Sequence, residues 1–197
     1  MRIETLVLGP LETNTYLVGA ETDPAVLVID PAGEPERIRA GLRGRPVAAV
    51  LLTHGHFDHT GALGMFQGVP VYIHPDDQGM LSDPVRSLAM MVGDTAARPT
   101  AAEPVGEGDT LRIAGLEISV LHTPGHTPGS VTYRIGDVLF TGDTMFFHSY
   151  GRTDFPGGSP EQMKKSLRRL ESLPGDLRVC PGHGPETSLS EERKTFY

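Results

Sequence analysis

The chain has 197 residues, of which 38% are hydrophobic and 21% are charged, and these values predict one ordinary globular domain over residues 1–197. The formal net charge of −8 at pH 7 counts against a nucleic-acid partner, because phosphates require a cationic surface. One cysteine excludes an internal disulfide, and neither a signal peptide nor a bilayer-spanning apolar run is recognisable, so we expect a cytoplasmic protein without a membrane partner.

The first part of the chain is predicted to contain short strands, turns and one helix. Pro10 and the Thr22-Asp23-Pro24 cluster mark turns between strands. Pro35 favours a helix from Glu34 to Leu42, because proline is tolerated in the first helical turn. The predicted strands of this part are Arg2–Leu8, Asn14–Gly19, Ala25–Asp30, Val47–Leu52 and Val71–His74.

A dense group of metal-ligating side chains follows the fourth predicted strand, whose unbroken apolar run is typical of burial on both faces. Residues two apart on an extended backbone point to the same side, so His54 and His56 can reach one metal ion together. A helix over residues 58–66 would carry Asp58 and His59 toward a second point near the first. Imidazole and carboxylate ligands together do not select one metal.

Residues 75–103 are the least regular part of the sequence, because they combine Pro84 and Pro99 with the apolar run Leu88–Val92. We expect that run to form a helix packed in the core. The alternative is a lid over a binding site, since methionine adapts its shape to varied ligands.

Three later segments share one pattern, in which a short apolar run ends beside glycine and a ligand-type side chain. The side chains are His126, Asp143 and His183. Glycine lets the backbone turn sharply and approach a ligand closely. If these three segments lie close to the histidine-rich loop, their side chains would complete a metal site that one loop alone cannot form.

The remaining predicted elements place the strands that precede these three side chains in a second sheet. Gly136-Asp137 is a two-residue hairpin turn, and Ser159 with Gln162 forms a capping box that begins a helix ending at Leu173. Each half of the chain thus contains strands followed by a helix. This order predicts an α/β (α+β) architecture of two mixed sheets packed face to face, with helices outside. The predicted strands of this half are Thr110–Ile113, Leu116–Leu121, Val131–Ile135 and Val138–Thr141.

The order His-x-His-x-Asp-His, followed by a distant His, Asp and His, resembles the ligand set of the metallo-β-lactamase superfamily. The resemblance spans nearly the whole chain and implies that family's four-layer αββα fold. It implies two divalent metal ions per chain, such as zinc, iron or manganese, with Asp143 bridging them and with Asp58 and Asp143 as catalytic carboxylates. The implied ligands are His54, His56 and His126 for the first metal and Asp58, His59 and His183 for the second.

Within the superfamily, the chain resembles glyoxalase II (hydroxyacylglutathione hydrolase), in particular its short bacterial relatives, and also the persulfide dioxygenases. The sequence ends before the C-terminal helical part of longer glyoxalase II enzymes. Arg152 stands where those enzymes place a lysine, and Gly184-Pro185 replaces an acid and a tyrosine. The motifs that carry the resemblance are Thr53–Gly61, His122–Ser130, Phe140–Thr144 and Tyr150–Gly158.

The resemblance implies a binuclear hydrolase of a small thioester, such as an acyl-glutathione, in which a metal-bridging hydroxide attacks the carbonyl. Arg152 is expected either to bind a substrate carboxylate or to anchor the loop at Asp154. Tyr150 and His148 lie in the same segment and are candidate pocket residues.

Two other functions stay open. A persulfide dioxygenase would hold one iron through His54, His126 and Asp143 and leave the other ligand-type residues idle. The third possibility is a non-enzymatic metal-binding scaffold, although a structural site would saturate its metal and leave no open position. Cys180 is expected to be a buried, unreactive strand residue in each case. The sequence does not indicate an oligomeric state.

Overall fold

Twelve strands form two six-stranded sheets in the computed structural model, which describes residues 1–99 and 101–195. The first sheet contains β1 (Arg2–Leu8), β2 (Thr13–Gly19), β3 (Val26–Ile29), β4 (Val47–Leu51), β5 (Val71–Ile73) and β6 (Glu103–Pro104). The second sheet contains β7 (Thr110–Ile113), β8 (Leu116–His122), β9 (Val131–Ile135), β10 (Val138–Gly142), β11 (Arg178–Pro181) and β12 (Thr187–Ser188).

Both sheets are mixed, as the sequence predicts. In the first sheet β1, β2 and β3 pair antiparallel, whereas β3, β4, β5 and β6 pair parallel in that order. In the second sheet β10 and β11 are parallel, and the order β12-β11-β10-β9-β8-β7 is otherwise antiparallel. Parallel neighbours end at the same edge of a sheet, so the loops after β3 and β4, and those after β10 and β11, leave together.

The central core lies between the two sheets, and the alternation of side chains along the strands explains it. In β3, Leu27 and Ile29 face the second sheet, while Val26 and Val28 face the opposite side. Phe140 of β10 reaches the inter-sheet core from the other sheet. All five side chains are buried, so β3 is covered on both faces, and an unbroken apolar run is typical of such a strand.

Helices cover the outer face of each sheet. The α-helices of the described ranges are α1 (Pro35–Leu42), α2 (Phe57–Thr60), α3 (Pro75–Gln78), α4 (Ala89–Val92), α5 (Pro160–Glu171) and α6 (Leu189–Thr195), and α1, α5 and α6 supply the outer layers. Ile38 of α1 packs on the first sheet, and Met163 and Leu170 of α5 pack on the second. The predicted αββα layering is therefore confirmed. No helix in the described ranges is long and apolar enough to cross a membrane.

The helix predicted for residues 58–66 is wrong in extent. The chain forms one helical turn, α2, and then a separate 3-10 turn at Leu63–Met65. The N–H of Ala62 donates to the carbonyl of Pro31 at 2.9 Å, which breaks the helical hydrogen-bond ladder. Gly61 permits this approach, because a Cβ there would lie 2.2 Å from the Ala32 carbonyl oxygen.

The core helix predicted for Leu88–Val92 is also wrong. Only Ala89–Val92 is helical, and Met90, Met91 and Val92 are 60%, 73% and 58% exposed. Leu88 and Gly93 flank this turn with φ angles of 65° and 66°, so the backbone leaves the helical conformation on both sides. Met91 and Val92 line a cavity together with several of the predicted metal ligands. A lid at this place stays a prediction.

The thiol of Cys180 is expected to be unreactive in the folded protein. Its side chain is fully buried in the inter-sheet core, and burial raises the pKa of the thiol to about 12. Because the thiolate is the nucleophilic form, we expect no modification by an aromatic disulfide reagent at about pH 8 until urea unfolds the chain. Stoichiometric modification of the folded chain, followed by absorbance, would contradict this expectation.

Candidate metal centre

The residues predicted to bind metal follow the carboxyl ends of strands, and the structure brings all seven together. The histidine-rich loop follows β4, His126 lies in the loop after β8, Asp143 follows β10 directly, and His183 follows β11. Because β10 and β11 are paired and parallel, Asp143 and His183 leave the second sheet at one edge. The N–H of Asn14 in β2 donates to the Gly182 carbonyl at 2.7 Å and ties the first sheet to this edge.

Three imidazoles form one side of the cluster, those of His54, His56 and His126. Their ligand atoms all lie within 4.8 Å of one another, and the three side chains are buried. The Nδ1 of His56 is 2.9 Å from the Nε2 of His126. Two ligands about 2.05 Å from one tetrahedral ion would lie about 3.3 Å apart, so this spacing is close to that of a shared cation.

Asp58, His59 and His183 form the other side of the cluster, again with ligand atoms within 4.8 Å of one another. The Oδ2 of Asp58 is 3.5 Å from the Nε2 of His59 and 3.2 Å from the Nε2 of His183. The hydroxyl of Thr13 in β2 donates to the same Asp58 oxygen at 3.1 Å and holds the carboxylate in place.

Asp143 lies between the two groups. Its Oδ1 is 3.3 Å from the Nε2 of His59 without forming a hydrogen bond, and its Oδ2 is 3.3 Å from the Nε2 of His126. This carboxylate therefore has the placement required of a bridging ligand. Gly182 makes room for it, because a Cβ at that position would lie 2.2 Å from the Asp143 Oδ1.

Hydrogen bonds made by Nδ1, the ring nitrogen on the side away from the cluster, fix the orientation of four imidazoles. The Nδ1 of His126 donates to the Arg152 carbonyl at 2.7 Å, and that of His183 donates to the Leu11 carbonyl at 3.0 Å. The Nδ1 of His54 lies 3.1 Å from the Oγ1 of Thr53, and the Nδ1 of His59 lies 2.9 Å from the Oδ2 of Asp30. Such bonds place the proton on Nδ1 and turn the unprotonated Nε2 toward the cluster.

Several buried polar atoms of the cluster have no hydrogen-bond partner within the described part of the chain. They are the Nε2 atoms of His54, His56 and His59 and the Oδ1 of Asp143. Each unpaired buried polar atom costs about 1–3 kcal/mol, so several together in one cluster require an explanation. Bound cations would satisfy the Nε2 atoms of His54 and His59 and the Oδ1 of Asp143, and the donor set of imidazole and carboxylate fits divalent transition metals.

The electrostatics of the cluster also suit cation binding. Burial lowers the pKa of His54 well below its ordinary value, and burial together with His126 lowers the pKa of His56 to about 3. Burial opposes ionisation of Asp143, but His59 and His126 hold the pKa of that carboxyl well below its ordinary range. Burial also disfavours a charged His59, but the neighbouring carboxylates outweigh it and raise the pKa of that imidazole. A cation that binds here must therefore displace a proton.

Sequence reasoning missed Asp30, a buried carboxylate directly after β3. Its Oδ1 accepts from the N–H of Thr53 at 2.8 Å, and its Oδ2 accepts from the Thr53 hydroxyl at 2.6 Å and from His59. Asp30 with His54 and His59 is also close enough to be a ligand group. Because both oxygens of Asp30 already accept these bonds, we infer that it orients the two imidazoles.

An Asp30→Asn variant is expected to weaken metal binding by about 10- to 100-fold, because its amide would replace the acceptor that holds the His59 ring. The metal dissociation constant can be measured by competition with a chromogenic chelator. Asp23→Asn, before the other end of β3, is the matched control, since the bond from Ala25 N–H goes to Oδ1, which Asn retains. Equal affinities in the two variants would contradict an orienting role for Asp30.

Asp77 is a second buried carboxylate that sequence reasoning missed. Its Oδ2 accepts from the N–H of Gly55 at 3.1 Å and from the hydroxyl of Thr127 at 2.6 Å, and its Oδ1 accepts from the N–H of Gly129 at 2.8 Å. Gly55 lies between two ligand histidines, and Thr127 directly follows His126. Asp77 therefore joins a ligand loop of the first sheet to a ligand loop of the second.

Arg152 lies in the cavity beside the metal ligands, but its guanidinium is already paired. The Nε and Nη2 atoms donate to the two carboxylate oxygens of Asp154 at 2.7 and 2.5 Å, and the guanidinium lies 4.0 Å above the Phe155 ring. Its carbonyl accepts from His126. These contacts are those expected of an arginine that anchors its loop, and binding of a substrate carboxylate stays a prediction.

The structure does not bring the other two candidate pocket residues into the ligand cavity. Tyr150 lines a different cavity, which it shares with Met163 and Leu167 of α5. His148 is exposed, and its Nε2 lies 3.1 Å from a carboxylate oxygen of Glu191. Both residues lie in one loop, as predicted, and that loop follows β10, but neither is among the described residues that line the ligand cavity.

Known proteins resemble this chain over nearly its whole length. A family model described as Metallo-beta-lactamase superfamily matches residues 8–183, which include all seven predicted metal ligands. The hydroxyacylglutathione hydrolase GloC of Haemophilus influenzae is 33% identical over 207 residues, covering 99% of this chain and 96% of GloC. The solved structure of the BLEG-1 B3 metallo-beta-lactamase superposes with a TM-score of 0.91 at 33% identity, covering 98% of this chain and 97% of that chain. TTHA1623, solved in a di-iron-bound form, superposes with a TM-score of 0.86 at 40% identity, covering 98% of both chains.

Proposed function

The chain belongs to the metallo-beta-lactamase superfamily, and we propose that it is a metal-dependent hydrolase of a small thioester. The observation that carries the proposal is the convergence of two complete ligand groups on either side of the Asp143 carboxylate. The similarity to GloC, whose name is hydroxyacylglutathione hydrolase, supports a thioester as the substrate.

Two divalent ions would be held by the residues already described. His54, His56 and His126 would hold the first ion, the group around Asp58 would hold the second, and Asp143 would contact both. When bound, such ions polarise a carbonyl and lower the pKa of water. Zinc, iron and manganese all suit this donor set, and the di-iron form of TTHA1623 supports iron as one candidate.

The residues around the cluster suit hydrolysis by water rather than through a covalent intermediate on a hydroxyl or thiol. Among the described residues that line the ligand cavity there is no serine, threonine or cysteine. Phe57, Phe146 and Phe155 line the cavity instead and would exclude bulk water from the reacting bond. In the reaction water adds to the thioester carbonyl, the C–S bond breaks, and the sulfur leaves with a proton as a thiol.

The test combines a metal count with two activity assays. We expect two metal ions per chain by mass spectrometry after gel filtration, and release of thiol from at least one member of a thioester panel that includes S-lactoylglutathione. One iron per chain with oxygen uptake on a persulfide would contradict the proposal and favour the dioxygenase. Bound metal without turnover of either substrate class would instead favour the non-enzymatic scaffold.

A further inference from the structure

Two cavities meet at the metal cluster. The first is the ligand cavity described above, which we call the ligand chamber from here on. It has a volume of about 390 Å³ and is lined by His56, His126 and Asp143 among others. The second, the side chamber, has a volume of about 490 Å³ and lies between the β1–β2 turn, the loop after β3 and the segment after α4. Both chambers are bordered by the same four residues, Leu11, Phe57, Asp58 and Val92.

The shared border makes the side chamber an extension of the active site. Asp58 belongs to one of the two candidate ligand groups, so a group in the side chamber would lie beside the proposed reacting centre. Leu11 and Val92 border both chambers and are 50% and 58% exposed, although both are apolar. Clustered exposed apolar side chains at a cavity indicate a binding surface, because water contact with them is unfavourable.

The side chamber is lined mainly by apolar and glycine residues. Leu8, Pro10, Ala32 and Ala96 contribute to its walls, together with glycines that leave the backbone uncovered. Its acidic residues other than Asp58 already accept hydrogen bonds. Glu34 accepts from the N–H of Gly9 at 2.7 Å and from Arg37, and Asp94 pairs with Arg98.

Neither chamber has an unpaired lysine or arginine among its described lining residues that could bind an anionic ligand. Among the described residues that line the two chambers, Arg152 is the single lysine or arginine, and Asp154 occupies its guanidinium. A glutathione thioester carries two carboxylates. A carboxylate that loses water without gaining a cationic partner binds poorly, because desolvation of a charge is costly.

We propose that the side chamber binds the thiol half of the substrate and that this half is uncharged and largely apolar, so that the chain prefers thioesters of neutral thiols to acyl-glutathione. The reacting carbonyl would lie in the ligand chamber, and the substrate would continue past Leu11 and Val92 into the side chamber. This inference rests on the proposed thioester hydrolysis and names the class of thioester.

The test compares two thioesters that share one acyl group. One is the thioester of N-acetylcysteamine, which is uncharged, and the other is the thioester of glutathione. We expect kcat/KM of the metal-loaded chain to be at least about tenfold higher for the uncharged thioester. An equal or higher kcat/KM for the glutathione thioester would overturn the side-chamber proposal and leave the proposed hydrolase intact.

A variant pair tests the location of the selectivity. Val92→Lys places an ammonium between the two chambers and is expected to lower the preference for the uncharged thioester by about tenfold. Met90→Lys is the matched control, since Met90 is 60% exposed on the same helical turn but lines neither chamber. A preference that changes equally in both variants would contradict the proposed location.

A binding measurement separates failure of this inference from failure of the proposed function. The S-butyl thioethers of N-acetylcysteamine and glutathione cannot be hydrolysed, and calorimetry gives their affinities for the metal-loaded chain. Tighter binding of the uncharged thioether, lost in Val92→Lys, supports the side chamber even if neither thioester is turned over. No binding, or tighter binding of the glutathione thioether, would overturn it.

Discussion

An Asp143→Ala variant is expected to lose the metal ions from both sides of the cluster and to lower kcat for thioester hydrolysis by more than about a hundredfold. The carboxylate is buried, and its two oxygens lie 3.3 Å from the Nε2 atoms of His59 and His126. Loss of a single group that only orients a ligand costs about 10- to 100-fold in affinity or activity. A carboxylate that contacts both ligand groups should therefore cost more.

The measurement for Asp143→Ala is the number of metal ions retained through gel filtration, together with initial rates on the best thioester. Asp137→Ala is the matched control, because that exposed residue lies in the hairpin turn that precedes the same strand, β10. Far-ultraviolet circular dichroism establishes that both variants fold. Two metal ions per chain and near-normal turnover in Asp143→Ala would rule out a bridging role.

The strands and the ligands could be predicted from the sequence because both are local signals. The runs at Val26–Ile29 and Val47–Leu51 are continuous and apolar, and a strand covered on both faces requires that pattern. The ligands follow strand ends, where side chains gather at one edge of a parallel pair. Asp143 and His183 are 40 positions apart in the sequence, but the parallel pairing of β10 with β11 brings the ends of the two strands that they follow close together.

The residues that orient the ligands could not be predicted, because their role depends on partners far away in the sequence. Asp77 follows Asp76, and nothing local distinguishes the two carboxylates. The bonds that bury Asp77 come from Gly55, Thr127 and Gly129, which are 22, 50 and 52 residues away. Asp30 likewise becomes an orienting residue only when β3 pairs with β4 and brings Thr53 beside it.

The incorrect core helix has a different physical cause. Leu88–Val92 is apolar, and an apolar run is normally evidence of burial. Here Met91 and Val92 face a cavity instead of the core. A surface that binds an apolar ligand has the same composition as a core surface, so the sequence alone does not distinguish them.

An Asp77→Ala variant is expected to lower the free energy of unfolding by about 3 kcal/mol or more. The substitution removes the acceptor for two backbone N–H groups and one hydroxyl, and each donor left unsatisfied in the interior costs about 1–3 kcal/mol. Loss of these bonds also detaches Gly55 from Gly129, so the ligand loops of the two sheets are no longer held together. We therefore expect weaker metal binding in addition to lower stability.

Urea unfolding of the metal-free chain, followed by circular dichroism, measures the free energy of unfolding without a contribution from bound metal. The matched control is Asp76→Ala, because Asp76 is the preceding residue in the same helical turn, α3, and its side chain is 59% exposed. A surface substitution of this kind should change the free energy of unfolding by no more than about 0.5 kcal/mol.

If both variants unfold at the same urea concentration, the three bonds to Asp77 do not stabilise the fold. If Asp77→Ala is less stable but binds metal normally, the ligand loops must be positioned by other contacts, such as the N–H of Val131 that donates to the Thr53 carbonyl at 2.8 Å.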